Sequence, residues 1–369
     1  MGPDADTQFA LAEIGDNIEA LRMGLRFRVW CTAFLLIFAT SLTARAAAAP
    51  VGMPQGEPEQ FANLPIFELH SGFWINLHHT LYGQARASRD GRGSPSSATG
   101  TTKRTPNEEI AWDNAVAYYA ENFVDKDLLF STELILLKNQ LGDFEQCDEL
   151  SGSRKKTCDA GLPPKLTQVL NAAAVVYRAH EWPEHDRANR RWISAVSPLV
   201  REKGVEVSQR LAEIYQTRWP KQRIRVDVSA YANYAGAYTT IDPLRIIISS
   251  TDPRNLGSSA LEVLFHEASN GIAEPVQLAI NRECRQRDEA ISRDLWHALV
   301  FYTTGEIIKP VMKSLNGNAN GDYTPYAVRE QLYKRGWDDY LKLLERFWQP
   351  YLDGNVTFDD AIAHIVSAL

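Results

Sequence analysis

In Val263-Leu-Phe-His-Glu-Ala-Ser-Asn-Gly-Ile272, polar side chains with ligand and acid–base chemistry sit at helical spacing inside an apolar run. Positions i and i+4 of a helix project from one face, so His266 and Asn270 can address one ion while Glu267 reaches a water beside it. Metal-assisted hydrolysis needs this arrangement. The ion lowers the pKa of its water toward about 7, and a neighbouring carboxylate takes the proton as the water attacks a carbonyl. The His-Glu dipeptide alone carries little weight, because His180-Glu181 repeats it. There Pro183 interrupts the helix and His185 falls five positions on, off the required face.

Upstream of this segment the hydrophobic period changes. Arg223-Ile-Arg-Val-Asp-Val-Ser229 alternates polar and apolar residues, 233–240 is aromatic and β-branched around Gly236, and 244–249 holds three consecutive isoleucines. These features predict a small antiparallel sheet with turns at Ala230-Tyr-Ala232 and Asp242-Pro243. Further upstream, Phe73, Trp74, Leu77, Leu81 and Tyr82 form a stripe that predicts a helix over 67–86. Residues 87–106 are rich in Ser, Gly, Thr and Arg and predict a flexible loop. Helical patterns follow over 115–123, 128–141, 164–180 and 189–215. After the strands, helices resume at 258 and continue to the end, broken by a polar loop over 316–322. The expected class is α+β, mostly α. A helical region over 50–220 precedes an α+β domain over 221–369.

The motif segment resembles the extended consensus of the gluzincin-type zinc metallopeptidases. Val263 is β-branched, Leu264, Ala268, Ser269 and Gly271 are uncharged, and Ile272 is apolar, as that family prefers. The departure is Asn270, which stands where the family has its second histidine. An amide oxygen is a poorer zinc ligand than imidazole. The resemblance implies a zincin-like domain with a small antiparallel sheet and a motif helix, a bound Zn2+, and a peptide or protein substrate attacked at its carbonyl. It also implies that an edge strand such as Gly236-Ala-Tyr-Thr239 runs beside the bound peptide. A third ligand is expected from a later helix, where Glu306 is favoured over His297. Those two are nine positions apart, about half a turn around an ideal helix, so one ion cannot take both unless Gly305 breaks the helix. Tyr323 and Tyr326 are the candidates for a hydrogen bond to the oxyanion, with packing as the alternative role.

The remaining features bound the setting. The chain has 369 residues, 44% hydrophobic and 23% charged, with a formal net charge of -7. No sequence-wide basic field exists to attract nucleic acid. A basic start at Met23, an apolar run over 29–42 and a small-residue stretch ending at Pro50 have the layout of a secretory signal over 1–49, with Met23 as an alternative start. Removal of the signal leaves no stable membrane span, and the mature protein is expected in the periplasm or outside the cell. Cys147 and Cys158 bracket a polar loop and predict a disulfide, leaving Cys284 as a buried thiol. His70, Asn76, His78 and His79 cluster in an aromatic helix, where satisfied histidines outweigh a second metal site. His185, Asp186 and Asn189 are expected to cap a helix. No nucleophile elbow, Walker loop or dinucleotide fingerprint is present. Two functions from different classes follow: a zinc hydrolase impaired by Asn270, and an inactive relative of that fold that binds peptides or serves as a scaffold.

Overall fold

The computed structural model describes residues 66–91, 103–150, 158–290, 294–315 and 323–369. The signal segment expected over 1–49 lies outside them, as do residues 92–102 of the expected loop. The described chain opens with a strand, β1 (Phe67–His70), in which Phe67 and Leu69 are buried while Glu68 and His70 are half-buried. This segment was expected to be helical. Its alternation has the period of a strand, and the helical stripe begins only after Gly72. Helix α1 (Phe73–Arg89) is buried at every position from Phe73 to Gly83, so it runs through the core rather than along its surface.

Four helices surround it. Helix α2 (Pro106–Asn122) starts at a capping box in which Thr105 and Glu108 satisfy each other's backbone N–H, with Pro106 in the first turn. Ser131 caps α3 (Thr132–Asp143). Helix α4 (Pro164–His180) ends at Glu181, and α5 (Trp182–Ile214) continues for 33 residues. The expected disulfide joins Cys147 to Cys158. Closing so short a loop stabilises by roughly 3 kcal/mol in the chain-entropy model. Cys284 is a buried free thiol.

Strands β2 (Ile224–Ser229), β3 (Ala237–Ile241) and β4 (Leu244–Ser249) form where the sequence places them. Their order does not follow the chain: the sheet runs β1-β2-β4-β3. β1 pairs parallel with β2, and β2 parallel with β4. Antiparallel pairing is confined to the β3–β4 hairpin, where Ile241 faces Leu244 across Asp242-Pro243. The sheet is therefore mixed, not antiparallel. After β2 the chain crosses to the outer edge before turning back, so β4 slots in beside β2 in the same direction. Ile246, Ile247 and Ile248 are all fully buried, which requires both faces of the sheet to be covered. β1 and β2, which lie on either side of the division expected between 220 and 221, pair in one sheet, and the described residues fall in one compact unit.

The motif helix α6 (Ser259–Asn270) follows, then α7 (Glu274–Gln286) and the long α8 (Leu295–Leu315). Four short helices complete the chain: α9 (Tyr326–Arg329), α10 (Asp338–Leu343), α11 (Gln349–Leu352) and α12 (Phe358–Val366). A π-turn over Leu344–Trp348 joins α10 to α11. The fold is α+β and mostly α. Among the described residues no helix is long and apolar enough to cross a membrane.

Candidate functional site

Every residue of α6 from Ser259 to Ser269 is buried, so its polar side chains face other parts of the protein. Its partner along one side is α8. An ideal Cβ on Gly305 would lie 3.2 Å from Glu262 Oε1. One turn along, the His266 ring stacks on Phe301 with centroids 3.6 Å apart and planes 15° apart. The His297 ring lies 5.3 Å from that of His266. Rising numbers on α6 thus meet falling numbers on α8, and the two helices run antiparallel along a seam of 262 and 266 against 305, 301 and 297.

This seam separates the two candidates for the third ligand. His297, Gly305 and Phe301 lie in one row at spacings of four, and Glu306 falls one residue, about 100°, off it. Glu306 is half-buried and pairs with Lys309 Nζ at 3.2 Å. His297 is brought beside His266, while Glu306, favoured in the sequence, is paired with Lys309. Glu306 thus finds its partner in a lysine on its own helix.

Burial, followed by the neighbouring His297, holds His266 well below the usual imidazole range. Burial alone lowers His297 to about 4. Both rings are neutral at physiological pH, the state that ligates metals. Nδ1 of each is buried without a hydrogen-bond partner, and so is Oδ1 of Asn270. The Asn270 amide nitrogen instead reaches Glu267 Oε2 at 3.4 Å. Thr239 on β3 donates to the same Oε2 at 2.6 Å. Burial pushes the Glu267 carboxyl up to about 7, against the pull of these two donors. It is a group poised to exchange a proton near neutrality.

The two tyrosines part company. The Tyr323 hydroxyl donates to Glu262 Oε2 at 2.6 Å, so it is already committed. The Tyr326 backbone N–H also lies 2.9 Å from Glu262 Oε1. The Tyr326 ring sits parallel to Phe301 with centroids 6.1 Å apart, and its phenol is within electrostatic reach of Glu267. Glu262 and Thr239 were not singled out in the sequence. Glu262 carried a signal, being an acid four residues before His266 inside the apolar run 261–265. Thr239 carried none, because its contact with Glu267 depends on β3 packing against α6.

The other candidates are absorbed into the core. His78 Nδ1 meets the Tyr119 hydroxyl at 3.0 Å. His79 bridges the Ile75 carbonyl and the Tyr238 hydroxyl at 2.8 and 2.9 Å. Asn76 donates to the carbonyls of Gly72 and Val228 and accepts from Asn189 and the Ala230 N–H, tying α1 to β2 and α5. His70 faces Glu145 at 3.2 Å. His185, Asp186 and Asn189 lie inside α5 rather than capping it, and hold Tyr177, Ser71 and Ser250.

Among the described residues no three His, Cys, Asp or Glu side chains are grouped to hold a metal ion. The available set is two imidazoles and one amide oxygen, a neutral set that fits a divalent ion weakly. No family model, no curated protein and no solved structure matches this chain.

Proposed function

We propose that the seam between α6 and α8 is a zinc site of the hydrolytic type, with His266 and His297 as its strong donors and Asn270 Oδ1 as a weak third. The observation that carries this is the pair of neutral imidazoles side by side, His266 buried and His297 half-buried, each with a buried Nδ1 that has no hydrogen-bond partner, next to the buried Glu267 carboxyl at about 7. A zinc ion held there would supply Lewis acidity to a carbonyl oxygen and acidity to water. Glu267, held in place by Thr239, is the group that would take a proton. Tyr326 supplies the phenol nearest to that chemistry, and Tyr323 braces Glu262. β3 ends the sheet beside α6, so a peptide-like amide can pair with its edge and bring a carbonyl to Glu267. The Cys147–Cys158 disulfide and the N-terminal apolar run support an exported setting, periplasmic or extracellular.

Elemental analysis of the purified mature protein tests this directly. Zinc near one equivalent in the native chain, lost in His266→Ala and His297→Ala, is the expected result. A single observation favours the second function, an inactive peptide-binding relative: the Asn270 amide donates to Glu267, as a bystander would. In that case the native chain holds no zinc, and only Asn270→His acquires it.

A further inference from the structure

His297 is the more open of the paired imidazoles: it is half-buried, while His266 is buried against the Phe301 ring. Three other rings border His297. Trp296 stacks alongside it with centroids 5.2 Å apart and planes 28° apart, and Phe301 lies 4.9 Å away. The third, Trp337, meets His297 edge-on at 5.7 Å and 73°. Trp296 and Phe301 belong to α8 itself. Only Trp337 can withdraw without disturbing that helix.

The segment that carries Trp337 is tied to α6 at its start. The Tyr323 hydroxyl donates to Glu262 at 2.6 Å, the Tyr326 N–H donates to the same carboxylate at 2.9 Å, and Arg329 donates to Ser259 Oγ. From Glu330 to Trp337 the hydrogen bonds among the described residues are local. The Lys334 N–H donates to the Gln331 carbonyl at 3.1 Å, Arg335 to the Glu330 carbonyl at 3.0 Å, and the Trp337 N–H to the Tyr333 carbonyl at 3.0 Å. Trp337 is held to the seam by ring packing, on His297 and on Phe301 at 6.1 Å, with Tyr333 behind it at 6.4 Å. Lys334, Arg335 and Gly336 are exposed, so the turn has solvent on its outer side. Two left-handed residues bound this turn, Gln331 with φ 54° and Gly336 with φ 113°. Glycine adopts such a backbone readily and other residues do not. An ideal Cβ on Gly336 would meet nothing within 4 Å, so glycine serves there for its backbone and not for space. Rotation of Gly336 out of the left-handed region would break the Trp337 N–H bond and turn the indole away from His297.

We propose that Trp337 is a gate over the imidazole pair, closed in this structure, and that it opens by a backbone turn at Gly336 to admit a ligand to His297. The gate rests on the reading of that pair as a ligand site. It makes His297 the donor that an incoming ligand meets first and His266 the second.

The test is modification of histidines by diethyl pyrocarbonate, mapped by peptide mass, in the metal-stripped full chain and in Gly336→Ala. Alanine strains the closed turn without removing a ring or touching a neighbour. His297 should be modified roughly tenfold faster in the variant. His78 and His79, fully buried in α1, should keep their native rates. An unchanged rate at His297 overturns the gate, because shielding by a fixed surface does not depend on the backbone of Gly336. Equal acceleration of His78, His79 and His297 also overturns it, since the reagent then enters by global unfolding. Trp337→Ala removes the moving ring and should likewise speed His297 alone; a native rate there counts against the gate. Zinc ions added before the reagent protect His297 only if the pair binds them, so failure of the metal reading is seen apart from failure of the gate.

Discussion

Lys138 is 1% exposed, and its ammonium group donates to Thr240 Oγ1 at 2.6 Å over the Tyr238 ring. Burial lowers its pKa to about 7, with Asp227 opposing. Because the folded value lies below the unfolded one, the unfolded chain holds more protons between those two values, and stability rises with pH across that window. Lys138→Met is therefore expected to stabilise by on the order of 3 kcal/mol near pH 6, with the gain fading toward about pH 10. Urea midpoints at the two pH values check this. Glu262 has the opposite sign. Burial raises it to about 7 against its hydrogen bonds to Tyr323 and Tyr326, so its favourable contribution is complete below its unfolded value and lost as pH rises through about 7. Glu262→Gln keeps an acceptor for these donors. It should flatten the fall in melting temperature from about pH 5 to 7 and stabilise by about 1–2 kcal/mol near pH 8. A melting curve that stays as steep as in the native protein would show that Glu262 does not titrate there.

At the scale of elements, the α6–α8 seam depends on Gly305. An added Cβ would lie 2.7 Å from the Pro325 Cβ, a contact that cannot yield without moving the corner that leads into α9. Alanine would gain about 1 kcal/mol of helix propensity and lose about 1–3 kcal/mol to overpacking. Gly305→Ala is thus expected to lower the melting temperature, and to release the Tyr326 amide to faster hydrogen exchange. The sequence showed most helices because their signals are local. Pro164 in a first turn and apolar spacings of three and four place α4 within one chain segment. β1 was misread for the complementary reason. Four residues carry little periodicity, and what makes them a strand is pairing with β2, more than 150 residues away in the chain.

At the scale of the whole molecule, the choice between His297 and Glu306 can be tested by subtraction. His297→Ala should lose bound zinc and Glu306→Ala should keep it, as read by metal analysis of both proteins. Loss in Glu306→Ala alone would restore the carboxylate as the third ligand. The sequence by itself determined that His266, Glu267 and Asn270 share a helix, that three strands precede it, and that Cys147 lies close enough to bond with Cys158. Each of these rests on spacing within a short segment, where helix and strand geometry leave few alternatives. Only the tertiary structure decided the strand order, the placing of β1 beside β2, and which α8 side chain meets His266. These depend on contacts between distant segments, and a rotation of α8 by one residue, which periodicity alone does not resolve, would exchange the side chain on the seam for its neighbour.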